Sequence, residues 1–419
     1  MPKVLTRLAA TAVAAALAST LGISTSVAGT VGTDGKPITN RAGVTFGVQA
    51  HRGGADEHPQ NSLEAVDFTV QQGFDAIEVD LSFTKDDRPV LSHYDTLPDR
   101  CSSAGKKIHL MTWAEVQKVR CEDMDGNLTV PIPDFYQFNA AIAKNRSVKI
   151  TLDIKGYSGQ SSASKRHYAE KTIWLVKKYG LLNRTSILTF YWATVLPTIR
   201  KKAPKIYVLA LDNRKMDLTR VRKAAALGAN GYGIKTKDTS AFLLRYIKAQ
   251  GMDASPWEVK GETQRAFAIY FGGKRQFFLT DSPTKTRKGL VSGKYNLNPS
   301  RKSVVTTLAT PMTVLQSTLK AKKKQYPRVV GKAVPSEKLL MLENLTVRVT
   351  VTNGPGKGYL SVGPAGSLSS SEVRRKLPKG TKSFVIKVPA GDGGTLRVFT
   401  SKKATVKLEV LDYTNASFA

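Results

Sequence analysis

Ala76-Ile77-Glu78-Val79-Asp80-Leu81-Ser82-Phe83 places an apolar side chain at every second position, the spacing of a β-strand. Side chains two apart share a face, so Ile77, Val79 and Leu81 look one way while Glu78 and Asp80 look the other. Apolar residues turned out against helices and carboxylates turned in describe a strand of a closed parallel barrel. Two inward carboxylates repel each other in a low-dielectric interior unless a cation joins them. Their oxygen chemistry suits Ca²⁺ or Mg²⁺.

Working outward from this strand, short β-rich runs alternate with helical patterns from Val44 to about Leu279. The other strands are read at Thr45–Ala50, Val148–Ile154, Ser186–Phe190, Lys205–Leu211, Ala229–Ile234, Met252–Val259 and Phe277–Thr280. Between them, stretches such as Ser62–Gln72 and Tyr168–Tyr179 carry apolar residues at three-to-four spacing, as amphipathic helices do. Eight such units predict an α/β fold, a (β/α)8 TIM barrel over residues 45–288, with its site at the strand C-terminal ends.

The residues at those ends carry chemistry. Thr45–Ala50 runs into His51-Arg52-Gly53-Gly54. After Phe83 the turn Thr84–Pro89 sends Val90-Leu91-Ser92-His93 back toward the same end of the barrel, bringing His93 near His51. Leu152-Asp153-Ile154-Lys155 sets an acid and a base on one inward face. One strand-end histidine alone can be structural, but two beside three acids and a lysine make a site. Phe190, Trp192 and Trp257 fall at strand ends and are candidates to line a substrate pocket, barrel packing being the alternative. His58, His109 and His167 read as surface or loop residues.

Beyond the barrel the pattern changes kind. Residues 289–304 are rich in Lys, Gly, Ser and Asn and read as a basic linker. Over 305–419, Leu345–Thr352, Gly358–Val362, Lys382–Val388, Gly394–Thr400 and Ala404–Leu411 alternate apolar and polar residues between turn signals. They predict a smaller all-β domain, a sandwich or barrel. From Thr284 onward 25 Lys and Arg stand against 6 Asp and Glu, so this third of the chain holds most of the net charge of +32. Lys322-Lys323-Lys324 and Arg374-Arg375-Lys376 are its densest clusters.

At the amino terminus, Lys3 and Arg7 precede an apolar run from Leu8 to Leu21 and a small-residue stretch ending Ser26-Val27-Ala28. Residues 1–28 therefore read as a secretory signal peptide. No later stretch reaches the roughly 20 apolar residues of a membrane span. The expected location is secreted or extracellular, with cell-wall association. In that setting the lone pair Cys101 and Cys121 reads as a disulfide, two free thiols being the alternative. The charge implies an anionic partner, and export directs that expectation to a cell-wall polymer or anionic lipid surface, with no nucleic acid expected. Solubility alone is the plainer account of the charge. The sequence sets no oligomeric state.

Taken in order, His51-Arg52-Gly53, Pro59-Gln60-Asn61, Glu78-Val79-Asp80, His93-Tyr94-Asp95, Leu97-Pro98-Asp99-Arg100, Ile132-Pro133, Asp153-Ile154-Lys155 and Leu279-Thr280-Asp281-Ser282-Pro283 resemble the glycerophosphodiester phosphodiesterases. The resemblance runs from about Phe46 to Pro283. It implies that Glu78, Asp80 and Asp153 ligate a divalent metal, Ca²⁺ or Mg²⁺. It makes His51 and His93 the general acid and base, and Arg52 and Lys155 the holders of phosphate oxygens. Two positions depart from the family pattern. Gln60 stands where Glu is usual and removes a negative charge near the site, and Asp153 stands where Glu is commoner and reaches about one methylene less far. A fainter likeness links Gly358–Gly366 and Val406–Tyr413 to a β-rich module on exported actinobacterial hydrolases.

The expected function is hydrolysis of glycerophosphodiesters, either deacylated phospholipids or poly(glycerol phosphate) teichoic acid, to glycerol 3-phosphate and an alcohol. A phospholipase D or sphingomyelinase D-like lipid hydrolase and a non-catalytic cell-wall-binding protein are the alternatives.

Overall fold

The computed structural model describes residues 30–418 except 31, 35, 214–217, 258, 260–264, 266–267, 270–271, 273–274, 336–341, 366–371, 390 and 392–393. The signal peptide expected over residues 1–28 lies outside the described residues.

Eight parallel strands form the first unit: β1 (Thr45–Ala50), β2 (Ala76–Phe83), β3 (Lys149–Ile154), β4 (Thr185–Thr189), β5 (Tyr207–Asp212), β6 (Gly231–Lys235), β7 (Asp253–Trp257) and β8 (Arg275–Thr280). They are hydrogen-bonded in the order β8-β1-β2-β3-β4-β5-β6-β7, so the last strand returns beside the first, as in a (β/α)8 barrel. Helices α1 (Leu63–Gln72), α2 (Phe135–Ile142), α3 (Ser162–Lys178), α4 (Trp192–Lys202), α5 (Leu218–Ala226), α6 (Ala241–Ala249) and α7 (Pro283–Val291) lie between or after the strands. Strand β2 is buried at all eight positions, because helices cover one face while the barrel interior covers the other. Ile77, Val79, Leu81 and Phe83 join the main apolar core with α2, α3 and α4, which leaves Glu78 and Asp80 on the opposite side. The β2–β3 register sets Asp80 directly opposite Asp153.

Between β2 and α2 the chain makes an excursion. Pro89–Leu91 pairs antiparallel with the end of β2, with Leu91 opposite Leu81, which brings Ser92 and His93 back to the barrel mouth. The rest of the excursion holds a small core of its own, including Val90, Leu97, Ile108, Val116 and Val119. The Cys101–Cys121 disulfide staples it.

The second unit contains two four-stranded antiparallel sheets. One has the order β9 (Arg301–Leu319), β16 (Ala404–Phe418), β11 (Leu342–Pro355), β14 (Lys379–Pro389). The other has the order β10 (Lys324–Gln325), β15 (Leu396–Thr400), β12 (Tyr359–Pro364), β13 (Val373–Lys376). Their facing residues, among them Leu345, Val347, Val349, Leu360, Val362, Val398, Val406 and Leu408, form a separate apolar core. Buried Glu343 accepts hydrogen bonds from Arg301 (2.7 Å) and Ser303 (3.1 Å) and lies 3.8 Å from Arg245 on α6, tying the sandwich to the barrel.

The stretch 289–304 is less of a linker than its composition suggests. Helix α7 runs to Val291 and β9 starts at Arg301, so irregular backbone is confined to residues 292–300. Strand β9 is an edge strand whose first half is exposed on both faces, including Val304 and Val305. Nothing there compels the apolar–polar alternation that reveals a half-buried strand. Strand β13, Val-Arg-Arg-Lys, is another edge whose charges hide it for the same reason.

Candidate active site

The site is assembled by backbone features that the local sequence dictates. After β1 the chain turns through His51-Arg52-Gly53-Gly54, where Arg52, Gly53 and Gly54 all take positive φ. A Cβ on Gly53 would meet that of Ala65 at 2.5 Å, so only glycine allows α1 to approach this turn. The left-handed conformation of Arg52 aims its amide at Glu78 Oε2, to which it donates at 3.1 Å. Asn61 also has positive φ, a conformation asparagine tolerates well, and its amide N–H donates to Arg52 O at 2.9 Å. Its side chain grips Asp80 twice: Nδ2 donates to Oδ2 at 2.8 Å, and Oδ1 accepts from the Asp80 amide at 3.0 Å.

Glu78, Asp80 and Asp153 are all buried, and each presents one carboxylate oxygen within 4.8 Å of the others. Lys155 closes on this cluster, donating to Asp80 Oδ1 at 2.8 Å and to Asp153 Oδ2. Arg52 Nε lies 3.3 Å from Asp80 Oδ2, and its Nη1 donates to Gln60 Oε1 at 2.6 Å. The neutral Gln60 carbonyl therefore suffices to hold the guanidinium.

Electrostatics follow from burial and crowding. Burial first, and the Asp80 charge second, push the Glu78 carboxyl up to about 8. Burial raises Asp153 to about 6 despite the nearby Lys155 ammonium. Burial would raise Asp80 too, but Lys155 and Arg52 hold it below the ordinary range. The lysine, which burial alone would lower, is raised by Asp153 and Asp80.

This donor set fits a divalent metal on two observations. Asp153 Oδ1 is buried with no hydrogen-bond partner among the described residues, and Glu78 is forced toward its neutral form when only protein cations compensate the cluster. Three hard carboxylate ligands are the kind that hold such an ion.

The two expected imidazoles differ in character. His51 Nδ1 contacts Asp281 Oδ1 at 2.6 Å, and His51 Nε2 lies 3.9 Å from Glu78 Oε2. Burial pulls its pKa down, but the hydrogen bond to Asp281 and the Glu78 charge outweigh that and leave it raised. His93 is driven down to about 4 by burial, with Asp80 opposing and Lys155, Arg52 and His51 reinforcing the fall. Its Nδ1 is buried and has no partner among the described residues. The structure thus brings His51, His93, Glu78, Asp80, Asp153, Arg52 and Lys155 to one mouth.

Two cavities flank it. One of about 300 Å³ is lined by His93, Tyr94, Asp95, Lys107, His109 and Tyr157 among others, and one of about 420 Å³ by Lys155, Lys165, Phe190, Tyr191 and Arg220 among others. Of the three aromatic candidates, Phe190 lines the second cavity, and Trp257 packs edge-on against it with ring centroids 5.8 Å apart. Trp192 lines neither cavity. It opens α4 facing inward, fully buried against Tyr232 and beneath Arg220, because the helical phase turns it into the core.

Sequence reasoning left three further residues without a role. Asn61 and Asp281 sit inside motifs that drew attention to their neighbours, but their contacts to Asp80 and His51 span 19 and 230 positions and are set by the closed barrel. His109, expected on the surface or in a loop, lies in a short turn of the excursion and is partly exposed. It pairs with Asp95 at 2.7 Å and stacks on Tyr157 at 3.7 Å. No local signal marks that stack.

Fold and site together define a (β/α)8 barrel protein whose carboxylate–imidazole centre is of the kind that cleaves phosphate esters. The sequence model of the Glycerophosphoryl diester phosphodiesterase family matches residues 51–284, more than half of the chain, and the chain belongs to that family. Its members generally depend on a divalent metal, in keeping with the acidic cluster.

Among relatives, glycerophosphodiester phosphodiesterase 1 of Mus musculus is 25% identical over 174 residues, which cover 41% of this chain and 50% of the mouse protein. The chain therefore spans about half the length of that curated relative. The protein named probable glycerophosphodiester phosphodiesterase 1 of Mycobacterium tuberculosis is 25% identical over 267 residues, 59% of this chain and 94% of that protein. In fold, the chain resembles a glycerophosphodiester phosphodiesterase from Parabacteroides distasonis, with a TM-score of 0.50 and 22% identity over 60% of this chain and 99% of that one.

Proposed function

We propose that the protein is an exported, divalent-metal-dependent phosphodiesterase that hydrolyses glycerophosphodiesters to glycerol 3-phosphate and an alcohol. The observation that carries this reading is the meeting of three buried carboxylates, two imidazoles and two cationic side chains at the C-terminal mouth of the barrel. Substrates are deacylated phospholipids or poly(glycerol phosphate), and the basic β domain directs the enzyme to an anionic wall or lipid surface. Export is supported by the basic–apolar–small pattern of residues 1–28 and by the Cys101–Cys121 disulfide, which belongs to an oxidising compartment.

Glu78, Asp80 and Asp153 would hold Ca²⁺ or Mg²⁺, which would polarise the phosphate and lower the pKa of an attacking hydroxyl. The remaining chemistry belongs to the chain. His93, neutral at physiological pH because it is buried, takes the proton from the attacking hydroxyl. His51, whose pKa the Asp281 hydrogen bond and the Glu78 charge raise, gives one to the departing alkoxide. Arg52 and Lys155 hold the phosphate oxygens and offset charge that grows in the transition state. A neighbouring glycerol hydroxyl is the nucleophile of the first step, and water opens the resulting cyclic phosphate with the two imidazoles exchanging roles.

The test is release of glycerol 3-phosphate from glycerophosphocholine and glycerophosphoglycerol, with Ca²⁺ or Mg²⁺ and with chelator. No metal-dependent release from either substrate refutes the proposal. A lipid-hydrolase reading draws on the exposed Tyr94 and Leu110 beside the first cavity; it requires headgroup or ceramide-phosphate products from vesicles. The scaffold alternative requires His51→Ala to leave all measurable behaviour unchanged.

A further inference from the structure

The sandwich carries two dense basic clusters, and the fold sets them apart. Lys322–Lys324 lies at the β10 edge of its sheet, whereas Arg374-Arg375-Lys376 lies on β13, the opposite edge of the same sheet. The first gathers cations on turns, with Lys320 before it and Lys402-Lys403 after Thr400, whose carbonyl accepts from the Lys322 amide at 2.8 Å, whereas the second is continued along strands. After Leu377 and Pro378 the chain passes directly into β14, the edge strand of the other sheet, so two sheet edges follow one another in a single run of chain. Residues 373–389 contain Arg374, Arg375, Lys376, Lys379, Lys382 and Lys387 and no acidic residue, and all six cations are exposed.

None of the six has a carboxylate partner among the described residues. The adjacent Glu372 is engaged elsewhere, with Arg397 and with Ser361 at 2.6 Å. The arginines are partly set in place: Arg374 stacks over the Tyr359 ring at 4.5 Å, and Arg375 donates to the Arg374 carbonyl at 3.0 Å. One strand inward, Arg348 sits opposite Val385 but lies 3.9 Å from Glu409, which offsets its charge. An edge strand also offers unpaired backbone N–H groups, which are further donors for phosphate oxygens.

We infer that this double edge, Val373–Pro389, is a binding strip for a linear polymer of phosphodiesters. The barrel reading enters only through the choice of glycerol phosphate as the repeat unit. A strand advances about 6.6 Å for every two residues, so Arg374 and Lys376 share one side of β13 at that spacing, with Arg375 between them on the other. A membrane surface fits less well. Interfacial binding needs Trp, Phe or Leu to enter the acyl boundary, and Val385 is the strip's one exposed large apolar side chain. Phe384 packs on the sandwich core, and Tyr359 is covered by Arg374.

The experiment measures binding of the full chain to soluble poly(glycerol phosphate) at low and physiological salt, with phosphatidylglycerol vesicles as the second probe. Three triple variants with the same change of net charge are compared: Arg374→Glu/Arg375→Glu/Lys376→Glu, Lys379→Glu/Lys382→Glu/Lys387→Glu, and the opposite-edge control Lys320→Glu/Lys323→Glu/Lys324→Glu. Thermal unfolding reports whether each folds, and the two strip variants guard against failure of one. Each strip variant should weaken polymer binding about 100-fold or more, and the control only a few-fold. Equal loss in all three means a diffuse charge effect and overturns the strip. Vesicle binding that is tighter than polymer binding and lost in the same strip variants assigns it to a membrane and also overturns it. If the wild-type chain hydrolyses no glycerophosphodiester yet binds the polymer through the strip, the barrel reading fails and the strip stands.

Discussion

Stripping all divalent ions and raising the pH from 6.5 to 8 should destabilise this protein by about 2 kcal/mol, and the reason lies in Glu78. Burial, and then Asp80, raise its carboxyl from the ordinary 4.5 to about 8. A group that holds its proton more tightly folded than unfolded lends stability that is complete below 4.5 and gone once the pH passes about 8. Below pH 6.5 other groups intrude. Asp153, raised to about 6, acts in the same sense, while His93, lowered to about 4, acts in the opposite sense up to 6.5. Lowered Asp80 and raised Lys155 are charged in both folded and unfolded chains between pH 6.5 and 8 and contribute a constant. Raised His51 adds to the Glu78 trend. Glu78 alone, across about 1.5 pH units, gives ~2 kcal/mol, or roughly 2–4 °C in Tm at an unfolding entropy of about 0.5–0.9 kcal/mol/K for a barrel or chain of this length. A bound divalent ion keeps Glu78 ionised, so the stabilisation by Ca²⁺ or Mg²⁺ should grow by the same amount over the same window. The assay is thermal unfolding in EDTA and in each ion at pH 6.5 and 8, repeated with Glu78→Gln. That variant should show little of the fall in EDTA and little response to the ions. A Tm in EDTA that is flat or rises to pH 8, or a full ion response in Glu78→Gln, would refute the reasoning.

Other outcomes follow from single contacts. Asp281→Asn removes the carboxylate that raises His51, so kcat should fall by less than the ~10²–10⁴ that a general acid contributes. The alkaline limb of the pH–rate profile should move to lower pH, and an unmoved limb would exclude His51 as the acid. Asn61→Ala frees Asp80 from both side-chain hydrogen bonds and should weaken divalent-ion affinity about 10- to 100-fold, as measured by calorimetry. Cys101→Ser/Cys121→Ser opens a bridge between residues 20 apart and should cost about 3 kcal/mol in denaturant unfolding.

Much of the barrel was legible because its strands are buried on both faces. Thr45–Ala50 and Ala76–Phe83 match β1 and β2 to the residue, since the apolar alternation starts and stops where the core does. Glu78 and Asp80 were legible for the same reason: a carboxylate in an otherwise buried strand needs a counter-charge. What escaped was set by contacts distant in sequence or by exposure. Asp281 meets His51 only across the β1–β8 seam, and Asn61 meets Asp80 only because a left-handed turn carries it inward. Trp192 showed the limit of reading side chains from strand ends, because one residue of helical phase decided between pocket and core. The edge strands β9 and β13, free of burial on one side or both, carried no alternation to read.

The pairing of His51 with Asp281 joins the first barrel strand to the last. All three carboxylates and both imidazoles leave the ribosome in the first third or so of the chain, but the residue that raises the pKa of one imidazole arrives 230 positions later. A chain without its last barrel strand lacks the carboxylate that raises His51, so the character of that imidazole depends on β8 docking against β1.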